Sequence, residues 1–81
     1  MKKFLVMFEV KSEDSFGEEY FWTHGATIVV ESKDPQRAYI KARNLYKKEL
    51  RKYVMREFLD GFVDDCRVRV QEIKEGDGII F

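Results

Sequence analysis

The chain has 81 residues, 44% hydrophobic and 15% aromatic, with 15 basic and 15 acidic side chains and a single histidine. That length makes one α+β-sized domain, residues 1–81, and the apolar content excludes a disordered chain. The lone cysteine, Cys66, excludes an intramolecular disulfide, and no stretch approaches the ~20 apolar residues that span a bilayer.

The first apolar run, residues 4–10, predicts a strand. Phe4, Val6, Phe8 and Val10 share one face by period-two alternation, and Leu5 and Met7 the other. A strand apolar on both faces belongs in the middle of a sheet. The run follows Lys2 and Lys3 but stops at Phe8 before Glu9, too short for the core of a signal peptide. With the unpaired cysteine this sets the expectation of a soluble, cytoplasmic protein.

Residues 12–17 (SEDSFG) are turn-like. The next segment, residues 18–24, admits two readings: a strand that continues past a bulge at Gly25, or a long mobile loop. Beyond it, residues 26–31 (ATIVVE) are β-branched and predict a strand.

Ser32-Lys33-Asp34-Pro35 announces a helix, with Asp34 as cap and Pro35 at the first helical position, where a missing N–H costs nothing. Gly61 reads as its terminator. A helix over residues 35–59 would run roughly 37 Å, against about 30 Å for a nine-residue strand, so it should overhang the sheet. Its apolar stripe changes direction on the way. Ala38, Ala42, Leu45 and Tyr46 form one stripe, and Leu50, Tyr53, Val54 and Phe58 a second, rotated by roughly 90°. Either the helix bends near residues 47–52, or its second half packs on something the first does not.

Residues 66–73 predict an amphipathic strand, with Cys66, Val68 and Val70 inward and Arg67, Arg69 and Gln71 outward. Glu75-Gly76-Asp77-Gly78 is a turn, and Ile79-Ile80-Phe81 a short last strand or an apolar tail. The order is β-β-α-β(-β), one long helix on a small, mostly antiparallel sheet. Spatial order 2-1-3 with a right-handed crossover puts the most apolar strand in the centre. The second sheet face, or the helix overhang, is then a homodimer or partner interface.

Charge is unevenly spread. Residues 35–59 hold eight basic and two acidic side chains, about +6, between flanks of about −3 each. No catalytic set emerges. Cys66 stands beside Asp64 and Asp65, which raise a thiol pKa, and reads as a small buried hydrophobe. One Cys and one His do not make a zinc site, and the aspartates lack the pattern of a calcium loop. No glycine cluster precedes a helix to cradle phosphate. The expectation is a non-enzymatic protein with no cofactor and no metal.

Two binding readings remain. In the first, the chain is a regulatory module that binds another protein, with Tyr20, Phe21 and Trp22 as anchors and Lys48, Arg51, Lys52 and Arg56 as a charged steering face. In the alternative, Arg37, Lys41, Lys48, Arg51 and Lys52 track nucleic-acid phosphates along one helix face. Overall neutrality, with a pI near 6.6, favours the first. The texture, short and charge-rich with spare aromatic rings and no catalytic set, resembles small phage-encoded proteins that bind host factors.

Overall fold

Three strands form one antiparallel sheet in the order β2-β1-β3, with helical segments packed on one face, in a computed structural model that describes residues 1–74. β1 (Lys2–Glu13) is central, as its two apolar faces demand: Phe4, Val6 and Phe8 are each at most 1% exposed. β2 (Tyr20–Ser32) pairs along the whole of β1, whereas β3 (Arg67–Ile73) pairs only from Lys3 to Glu9. The small α+β fold and its strand order agree with the sequence. The expected turn at residues 75–78 and the segment Ile79-Ile80-Phe81 lie outside the described residues.

Of residues 18–24, those from Tyr20 on are strand, and Glu18 and Glu19 belong to the turn. The β1–β2 register shifts between Phe8 and Glu9, leaving Gly25 as the bulged residue, and the hairpin continues to Glu13 and Tyr20. Asp14 builds the turn: its carboxylate accepts from the Phe16 and Glu18 amides at 3.1 and 2.9 Å, and Gly17 takes the positive φ of +69°. Those amides, Glu18 foremost, hold the Asp14 carboxyl below its ordinary value.

The long helix is borne out only in its first part. α1 is Pro35–Leu50, capped by Asp34, whose side chain accepts from the Arg37 amide. The chain then leaves the helix through residues 51–55, makes a 3₁₀ turn at Arg56–Phe58 and enters a short second helix, α2 (Leu59–Asp64). Gly61 lies inside α2 and terminates nothing. The physical reason is the rotated stripe: one straight helix cannot lay both apolar sets on one sheet. The chain breaks instead, and α2 buries Leu59 and Val63, at 2% and 1% exposure. Ala38, Ala42 and Tyr46 are buried as expected, but Leu45, Tyr53 and Phe58 are 51%, 80% and 60% exposed and are not core.

The overhang is also reversed. α1 spans about 24 Å at 16 residues, while 12- and 13-residue strands run about 40 Å. α1 is thus shorter than the strands it crosses, and the β1–β2 hairpin outruns β3 as an arm. Two aspartates fasten α2 to α1: Arg43 pairs with Asp64 at 2.8 Å and Asp60 at 3.7 Å, and Lys47 bonds Asp60.

Candidate binding surface

The arm exists because β3 starts late. From Val10 onward β1 has no partner on the β3 side among the described residues. Tyr20, Phe21 and Trp22 lie on this arm, 58%, 47% and 38% exposed, and none belongs to the core. Strand alternation puts Tyr20 and Trp22 on one face and Phe21 on the other, so the three are not a single patch.

Cations hold two of these rings. The Lys11 ammonium lies 3.9 Å from the Tyr20 ring centre, and the Arg67 guanidinium 5.0 Å from that of Trp22. Arg67 is itself clamped by Glu9, donating to both carboxylate oxygens at 3.0 and 3.1 Å. Trp22 is thus seated on a fixed cation, a contact of about 0.5–1 kcal/mol at an exposed site. A groove of about 460 Å³ runs beside these rings, bounded by Val10 and Glu13 on the arm and by Phe62, Asp65 and Cys66 at the end of α2.

The residues expected to steer a partner lie at or next to the helix break. Lys48 is exposed on the last turn of α1, Arg51 caps that helix, Lys52 lies in the following turn 3.3 Å from Glu49, and Arg56 opens the 3₁₀ turn. Interleaved with them are Tyr53, Met55 and Phe58, at 80%, 63% and 60% exposure. The sequence puts Tyr53 and Phe58 on the second apolar stripe, and the rotation of that stripe was the signal that they lie off the core. Because Tyr46 packs against Phe8, whose pairing borders Gly25, the break one turn later lies toward the hairpin end of the sheet. No hydrogen bond, ion pair or ring contact joins the arm's rings to the basic residues of the break among the described residues.

The phosphate-tracking set is partly engaged already. Arg37 pairs with Asp34 at 3.4 Å and Lys52 with Glu49, while the Lys41 ammonium donates to the Glu31 carbonyl at 2.7 Å. Among the described residues, Lys48, Arg51 and Arg56 have no carboxylate within ion-pair distance. On the second sheet face Leu5 is 8% exposed, while Val29, its partner across the β1–β2 pair, is 49% exposed.

Cys66 and His24 are not joined. The Cys66 thiol is half-buried and donates to the Phe62 carbonyl at 3.4 Å, while His24 pairs with the Thr27 hydroxyl at 2.9 Å. Burial, with Asp65 nearby, raises the thiol pKa. Among the described residues no three His, Cys, Asp or Glu side chains form a ligand group, and no helix is long and apolar enough to cross a membrane. No protein-family model, curated protein or solved structure matches this chain.

Proposed function

We propose that this chain is a non-enzymatic regulatory module that binds another protein through the hairpin end of its fold. The observation that carries the reading is the helix break. There the sequence gives up helical continuity and leaves Tyr53, Met55 and Phe58 exposed among Arg51, Lys52 and Arg56. Aromatic and arginine side chains are the types that dominate binding hot spots, and large apolar groups gathered on a small surface mark interaction sites. Tyr20 and Trp22 supply further rings on the arm, already positioned by their cations. The unpaired Cys66 supports work in a reducing cytoplasm. The texture of the sequence supports the narrower form, a phage-type protein that modulates a host protein.

The test is affinity capture from lysate by the native chain and by a Tyr53→Ala/Phe58→Ala variant, with and without nuclease. A stoichiometric protein that survives nuclease and is lost with the variant supports the reading. Capture unaffected by the variant removes the break from the interface.

A second reading keeps the nucleic-acid alternative, favoured by Lys48 and Arg51, which have no carboxylate partner among the described residues, and by the exposed Tyr53 ring in the turn that follows. It requires capture that disappears with nuclease, affinity that falls steeply with salt, and loss in a Lys48→Glu/Lys52→Glu variant.

A further inference from the structure

The order β2-β1-β3 leaves the outer edge of β2 without a strand partner among the described residues. Natural edge strands are usually short, bulged, or interrupted by proline or lysine, because unpaired backbone groups invite another strand. β2 has one such device, the bulge at Gly25. Beyond it, residues 26–31 (ATIVVE) continue regularly in register with β1 and contain neither proline nor lysine.

One hydrogen bond fixes which backbone groups face outward. The Lys41 ammonium reaches the Glu31 carbonyl, so that carbonyl points away from β1. In an antiparallel strand such groups alternate, so Val29 and Thr27 also present their N–H and C=O to the outside. Val29 is 49% exposed.

The edge is flanked on the helix side by a groove of about 540 Å³, lined by Val30, Glu31, Lys41, Asn44, Leu45 and Lys48. Leu45 gives it an apolar floor at 51% exposure, and Lys41 and Lys48 make its rim positive. A strand added to β2 would turn every second side chain into this groove.

We propose that the outer edge of β2 receives an extended segment of another protein, apolar with acidic residues among its groove-facing side chains, as a fourth strand. The charge of the rim chooses this occupant over a second copy. Two-fold pairing of two β2 edges keeps both α1 helices on one face of the joined sheet. Lys41 and Lys48 of one copy would then meet the same lysines of the other. The inference rests on the reading of the chain as a protein-binding module but uses a different face from the helix break.

The test titrates the full chain with a synthetic peptide alternating valine and glutamate, following amide hydrogen exchange by NMR. Slowed exchange at Thr27, Val29 and Glu31 is expected. Binding should weaken several-fold in Lys48→Glu, persist in Lys48→Arg and vanish when proline replaces the peptide's central valine. Unchanged exchange at those amides overturns the proposal, as does equal binding of a peptide with lysine for glutamate. Protection that grows with protein concentration without peptide also overturns it and assigns the edge to a second copy. If Tyr53→Ala/Phe58→Ala abolishes partner capture while the edge amides stay silent, the edge assignment fails and the functional reading stands; if capture and edge are both silent, both fail.

Discussion

The phenolic oxygen of Tyr46 occupies the space a side chain at Gly25 would need. A Cβ built on Gly25 would lie 2.7 Å from Tyr46 Oη and 2.9 Å from a Val10 methyl. The bulge in β2 and the helix α1 therefore meet at a position where any side chain forces a neighbour to shift. Tyr46 is fixed from its other side by Phe8, whose ring centre lies 4.8 Å away.

Replacement of Gly25 by alanine should destabilise the domain by about 1–3 kcal/mol through overpacking. In a Tyr46→Phe background the cost should shrink, because the closest atom is gone. Urea unfolding of the four proteins of this cycle measures the coupling; equal costs in both backgrounds would place the strain elsewhere.

The clamp between α1 and α2 should show in acid. Lys47, by hydrogen bond and charge, holds the Asp60 carboxyl below its ordinary value of 3.8, with help from Arg43. A depressed carboxylate stabilises the fold above its unfolded value and loses that contribution as pH falls through its folded value. Asp60→Asn should therefore lower the urea midpoint at neutral pH, and the gap from the native chain should close progressively below about pH 4. A gap independent of pH would mean that the ion pair contributes nothing to stability.

Trp22→Ala should leave the fold intact, at a cost of about 1 kcal/mol or less, because it removes an exposed ring seated on Arg67 and leaves the core untouched. It should weaken partner capture sharply. Circular dichroism and thermal melting check the first expectation; an unfolded variant would make the ring structural and remove it from the binding surface.

The Cys66 thiol should alkylate more slowly than a free thiol at mildly alkaline pH, since burial raises its pKa and its sulfur is bonded to the Phe62 carbonyl. Iodoacetamide kinetics followed by mass spectrometry give the rate. Labelling as fast as an unfolded control would show the thiol open to solvent.

The sequence alone determined the elements whose signals are local. Alternation at Phe4, Val6 and Phe8 named the central strand, Asp34-Pro35 set the start of α1, and the apolarity of β1 ordered the sheet as 2-1-3. It also carried a sign of the break, because stripes containing Ala42 and Phe58 cannot share one straight face. What it could not decide was how that conflict resolves. Residues 50–59 hold no glycine or proline, yet α1 ends at Leu50, Leu59 and Val63 are buried, and Tyr53 and Phe58 stay outside. The pairings of Asp60 with Lys47 and of Asp64 with Arg43 were beyond reach for the same reason. Each joins elements distant in the chain, so each depends on packing, which no local pattern records.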